Sequence, residues 1–143
     1  MTRSIPNPYV GVWTYRSLLN DPDVTVDFDQ LEFGRGTLTI DQDPTGTLSG
    51  TIGGPGWQLT LYGGFGIASS EPARFRGTGL VNGETWIYDY LALIVPIWPN
   101  SSPTLQRPAL VGSVTRVIAH SGSSPGSVSP AGVVASFYAA RQG

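Results

Sequence analysis

The chain contains no cysteine, which excludes disulfide staples, thiolate nucleophiles and thiolate metal sites together. It contains one histidine, His120, so a multi-histidine metal centre within one chain is excluded as well. Charge is scarce: Asp, Glu, Lys and Arg make up 13% of the residues, against a usual share of about 25%. With 8 basic and 10 acidic residues, a net charge of −2 and no basic stripe, the phosphate-neutralising face that nucleic-acid binding needs is missing. No apolar run approaches the ~20 residues of a bilayer span, and Met1-Thr2-Arg3-Ser4-Ile5-Pro6 lacks the apolar stretch of a signal peptide. The expectation is a cytoplasmic protein without a cofactor or a membrane span. So neutral a surface also predicts self-association, because strand surface with few charges is readily covered by another subunit.

Helical periodicity is a further absence. No segment sustains apolar residues at i, i+3 and i+4, and Gly or Pro interrupts nearly every window long enough for a helix. The 19 glycines and 12 prolines fall between runs rich in Val, Ile, Thr, Tyr, Trp and Phe, which is the pattern of strands separated by turns. Eight such runs lie around residues 9–17, 29–41, 46–53, 57–63, 73–80, 84–95, 108–119 and 132–141. Asp43-Pro44-Thr45-Gly46 and Asn82-Gly83 read as tight hairpin turns. In 57–63, Trp57, Leu59 and Leu61 share a face, and in 84–95 Trp86, Tyr88, Tyr90 and Ala92 share one. The 143 residues suit a single domain with one core. Sequential hairpins predict an all-β fold, an eight-stranded antiparallel up-and-down barrel that hides its edges by closing on itself; a sandwich of two Greek keys is the alternative. The Gly/Ser-rich stretch after His120 has no evident means of packing and predicts a mobile loop.

Catalytic signals are sparse. Gly53, Gly54 and Gly56 are followed by no Lys-Ser or Lys-Thr, so they read as a turn and not as a phosphate loop. Asp21, Asp23, Asp27, Asp29, Asp41 and Asp43 cluster near strand ends, where Asp serves turn geometry. Asp89 stands apart, between Tyr88 and Tyr90 in an otherwise apolar strand. Facing inward it could act with Tyr88 as a catalytic acid–base pair; facing outward it would do nothing of the kind. The aromatic residues carry the strongest signal. Trp13, Tyr15, Trp57, Trp86, Tyr88, Tyr90 and Tyr138 are candidate walls for a small hydrophobic or aromatic ligand held inside the barrel. Small residues (Gly11, Gly36, Gly50, Gly77, Gly112 and Ala135) are expected to leave room for it. Three functions remain open: ligand binding, a cofactor-free isomerase, cyclase or demethylase, and an assembly subunit with a solid core. The segment Val95-Pro96-Ile97-Trp98-Pro99-Asn100-Ser101-Ser102-Pro103 reads as a stiff loop, either capping a barrel mouth or contacting a second subunit.

Gly11-Val12-Trp13 in the first strand and Arg116 in the penultimate one together resemble the calycin superfamily, which includes the lipocalins, fatty-acid-binding proteins and avidins. The resemblance implies that Arg116 packs over Trp13 and closes the barrel base by a cation–π contact. Gly46-Thr47-Leu48-Ser49-Gly50-Thr51 and Pro108-Ala109-Leu110-Val111-Gly112 are most similar in rhythm to avidins. The likeness ends at the ligand residues, because Tyr15 and Val114 stand where that family's biotin-binding Asn and an Asp would be. It therefore implies a fold more than a ligand.

Overall fold

The computed structural model describes residues 7–66, 71–95 and 107–142. Eight long strands close into an antiparallel barrel: β1 (Gly11–Leu19), β2 (Glu32–Gln42), β3 (Leu48–Gly54), β4 (Trp57–Gly64), β5 (Ala73–Val81), β6 (Glu84–Val95), β7 (Ala109–Arg116) and β10 (Val134–Arg141). Two short strands, β8 (His120–Ser121) and β9 (Val128–Ser129), pair in the β7–β10 connection. Each long strand pairs with its neighbour in sequence, and β10 returns to pair with β1. The only helical element among the described residues is one 3-10 turn at Phe28–Gln30. No helix among them is long and apolar enough to cross a membrane.

The turns follow from their residues. Asn82 and Gly83 both take positive φ, 51° and 81°, the left-handed pair that matches the twist of a two-residue hairpin. At the β2–β3 turn the Asp43 carboxylate accepts from the Thr45 and Thr47 amides and from the Thr45 hydroxyl, at 3.0, 2.9 and 2.6 Å. These bonds hold the Asp43 carboxyl below its usual range, the Thr45 hydroxyl contributing most.

Alternation decides what faces inward. Trp13, Tyr15 and Ser17 on β1, Leu59 and Leu61 on β4, and Tyr88, Tyr90 and Ala92 on β6 are buried, while their strand neighbours are more exposed. Most of the glycines expected to leave room do something else. At Gly36, Gly50 and Gly112 a Cβ would collide with a carbonyl of the adjacent strand (Gly53, Thr39 and Leu91 respectively). Their missing side chains let neighbouring backbones coil close together, which a tightly curved barrel requires. Gly77 lies packed under Leu59 and Leu61.

One end of the barrel is filled. Trp13, Leu38, Ile40, Leu48 and Leu110 are fully buried there. Tyr9 closes the bottom: its carbonyl accepts from Trp13 Nε1 at 3.1 Å, and its hydroxyl donates to the carbonyls of Glu71 at 3.1 Å and Ala92 at 3.4 Å. The guanidinium lying over Trp13 belongs to Arg141, 5.7 Å from the ring centroid, with Nη2 donating to the Val10 carbonyl at 2.9 Å. This corrects the expectation for Arg116, which sits at the opposite end of its strand. In a closed barrel the last strand lies beside the first, and Arg141 pairs in register with Trp13. Gly11 completes the arrangement, because a Cβ there would stand 3.1 Å from Arg141 Nε.

Candidate functional site

The opposite end is hollow. A cavity of about 250 Å³ is lined by Tyr15, Ser17, Phe33, Gly34, Trp57, Trp86, Tyr88, Tyr90 and Val114. At roughly 30 Å³ per water molecule, that volume corresponds to about eight waters. Phe33, Trp57 and Trp86 lie near the first residues of β2, β4 and β6, so three aromatic rings surround the mouth. Deeper in, Tyr15 packs against Tyr90 and Phe137, with centroids 6.3 and 5.3 Å away, and Tyr90 stacks on Phe75 at 5.0 Å. Burial raises the hydroxyl pKa of Tyr15 and pushes that of Tyr90 well up, so both stay protonated and the floor is uncharged.

Tyr88, one of the lining residues, belongs to a chain of hydrogen bonds. Tyr88 and Arg116 face each other across β6 and β7, and Arg116 Nε donates to Tyr88 Oη at 2.9 Å. The guanidinium lies 4.9 Å from the Phe33 centroid, while Nη1 donates to the Pro130 carbonyl at 3.2 Å. Tyr88 Oη also lies 2.6 Å from His120 Nε2, and His120 Nδ1 lies 2.9 Å from the Ser121 carbonyl oxygen. A carbonyl only accepts, so Nδ1 carries a proton; with neutral imidazole Nε2 is then the acceptor and Tyr88 the donor. Burial raises the Tyr88 pKa, and the adjacent Arg116 charge opposes that shift.

The same bonds revise the expectation for the β7–β10 connection. His120 is buried and stacks on Trp86 with centroids 4.0 Å apart and planes at 11°. Ser121 N–H donates to Glu84 Oε1 at 3.2 Å, and the β8–β9 ribbon follows. Stacking and pairing thus supply the packing that composition alone did not suggest.

Family models, curated proteins and solved structures offer no match to this chain. The site is therefore read from its own geometry.

Of the expected wall residues, Tyr15, Trp57, Trp86, Tyr88 and Tyr90 line the cavity. Trp13 belongs to the packed end. Tyr138 is corrected to the outer surface, where it is 45% exposed and accepts from Arg16 Nη1 at 3.1 Å. Asp89 is corrected likewise: it faces outward and forms a bidentate pair with Arg76, at 2.7 and 3.0 Å. Strand alternation forces this, since Tyr88 and Tyr90 on either side point in. The proposed acid–base pair of Asp89 and Tyr88 is thereby separated by the sheet. Residues that sequence reasoning did not place in the site are Ser17, Phe33, Gly34 and Val114. Parity with Tyr15 could have found Ser17, but a shift of register between Ser17 and Leu18 blurs the pattern on β2. The loop around Trp98, expected to cap the mouth or meet a second subunit, lies outside the described residues.

Proposed function

We propose that this barrel binds a small, largely aromatic molecule in the cavity bounded by Trp57, Trp86, Phe33 and Tyr88. The observation that carries the reading is the contrast between the two ends, one plugged by Tyr9 and Trp13 and the other hollow and ringed by aromatic side chains. Aromatic walls with a few polar tips favour a flat guest, since ring faces offer apolar contact while Ser17 and Tyr88 orient it. A volume of about 250 Å³ lies just under the usual range of ligand pockets, roughly 300–1,000 Å³, and suits one or two rings. It also exceeds a few waters, which favours ligand binding over an assembly subunit with a solid core.

The reading includes a calycin-like relationship, resting on the closed barrel, Gly11-Val12-Trp13 and a cation over the tryptophan that is Arg141. Self-association belongs to it too, resting on the low overall share of charged residues, 13%, and on exposed apolar side chains such as Tyr62 and Leu80, 72% and 74% exposed on β4 and β5. Light scattering reads the assembly state directly.

The test is a panel of one- and two-ring aromatic compounds followed by tryptophan emission and melting temperature. Binding changes the emission of Trp57 and Trp86. A ligand at one hundred times its Kd stabilises the fold by about 2.7 kcal/mol, a rise of roughly 5–10 °C for a chain of this size. A panel that moves neither signal overturns the proposal.

A further inference from the structure

The Arg116–Tyr88–His120 chain gives the cavity wall a property that packing alone would not require. Tyr88 lines the cavity, and its oxygen accepts from Arg116 Nε at 2.9 Å while its proton goes to His120 Nε2 at 2.6 Å. Oη then keeps the capacity to accept one further hydrogen bond, and Tyr88 is one of the residues that bound the cavity. The wall therefore offers an acceptor backed by a fixed cation and by a base able to take a proton. Such a group matches an acidic O–H.

We propose that Tyr88 is a proton-exchanging contact for ring compounds bearing an acidic hydroxyl, and that the cavity binds them as oxyanions. This rests on the ligand-binding reading above and adds the class of ligand. The proton balance is simple. The guest O–H proton passes to Tyr88 Oη as the tyrosine's own proton passes to His120 Nε2, leaving a guest oxyanion, a neutral Tyr88 and an imidazolium. His120 then donates from Nδ1 to the Ser121 carbonyl and from Nε2 to Tyr88, so neither ring nitrogen loses a partner. The new oxyanion accepts from Tyr88, whose oxygen itself accepts from Arg116 Nε at 2.9 Å, and a nearby opposite charge favours the ionised form of an acid.

The surroundings are consistent with this transfer. From β7 comes Arg116, and from the ribbon comes His120, stacked on Trp86. From β6 comes Glu84, whose carboxylate accepts from the Ser121 amide beside His120 and can offset the imidazolium charge. From β1 comes Tyr15, and from further along β6 comes Tyr90, both lining the same cavity. No carboxylate lines the cavity among the described residues, so nothing anionic in the wall repels an oxyanion.

Two probes of similar shape test the inference: 4-nitrophenol, whose ionisation is visible in its absorption spectrum, and nitrobenzene, which has no proton to give. Calorimetry measures binding of each, and absorbance across pH measures ionisation of bound 4-nitrophenol. The expected result is that both bind and that bound 4-nitrophenol ionises at least about one pH unit lower than in buffer, a tenfold change in its ionisation equilibrium. Tyr88→Phe should lose that displacement, read on 4-nitrophenol at concentrations that saturate the variant. His120→Gln, which still accepts from Tyr88 but takes up no proton, should lose most of it too. Nitrobenzene binding combined with unshifted or upward-shifted ionisation of 4-nitrophenol overturns this inference and leaves the binding reading standing. Retention of the downward shift in both variants overturns it equally. Failure of both probes to bind the unmodified protein overturns the two together.

Discussion

Replacing Arg141 with Met tests which arginine closes the barrel. The substitution keeps an unbranched stem against Gly11 and Trp13 but removes the guanidinium. Two contacts disappear: the bond from Nη2 to the Val10 carbonyl at 2.9 Å and the stacking 5.7 Å from the Trp13 centroid. A hydrogen bond from a charged donor contributes about 1.5–3 kcal/mol, and a partly exposed cation–π contact about 0.5–1 kcal/mol. Water can reach the half-buried Val10 backbone and the thioether refills some of the space, so the net loss should lie near the low end, about 2 kcal/mol. With a urea dependence of about 2 kcal/mol per molar, the unfolding midpoint falls by about 1 M. The assay is urea denaturation followed by far-ultraviolet circular dichroism, with Arg116→Met alongside. A cycle with Trp13→Phe isolates the pair, because only Arg141 should show a coupling energy above about 0.5 kcal/mol with it. A loss for Arg141→Met below about 0.5 kcal/mol, or coupling of Trp13 to Arg116 instead, would refute the assignment.

Two further expectations concern the outer surface. Asp89→Asn breaks only the exposed pair with Arg76, so the melting temperature and every ligand titration should stay essentially where they are; a lost titration would mean that Asp89 reaches the cavity after all. The Asp43 carboxyl, held low chiefly by the Thr45 hydroxyl, should titrate by NMR below the ordinary aspartate value, and Thr45→Val should raise it. Its folded pKa lies below its unfolded one, so its contribution to stability is present above the unfolded value and is lost as pH falls through the folded value.

Much of this architecture could be read from alternation and turns. Trp57, Leu59 and Leu61 on β4, and Trp86, Tyr88 and Tyr90 on β6, alternate with outward residues, and period 2 fixes their facing once the strand is granted. Asn82-Gly83 and Asp43–Gly46 mark hairpins because their backbone needs are local. What could not be read depends on partners distant in sequence. Arg141 meets Trp13 only because the last strand lies beside the first. His120 matters only because Trp86 and Tyr88, more than thirty positions earlier, supply a stacking face and a hydroxyl. The glycines misled for a related reason: a missing side chain can leave a void or admit a neighbouring backbone, and composition does not distinguish the two.

The seam between β1 and β10 has a consequence for how the molecule comes into being. Trp13 and Arg141 are register partners although nearly the whole chain separates them, and ring closure across so long a separation is slow compared with hairpin formation. As a ribosome releases the polypeptide, β1 to β7 can zip together hairpin by hairpin, yet both borders of that growing ribbon stay bare until β10 emerges. Nascent chains stalled before Val134 should therefore be sticky and protease-sensitive, and release of the last eight strand residues is the event that converts an open ribbon into a sealed cylinder.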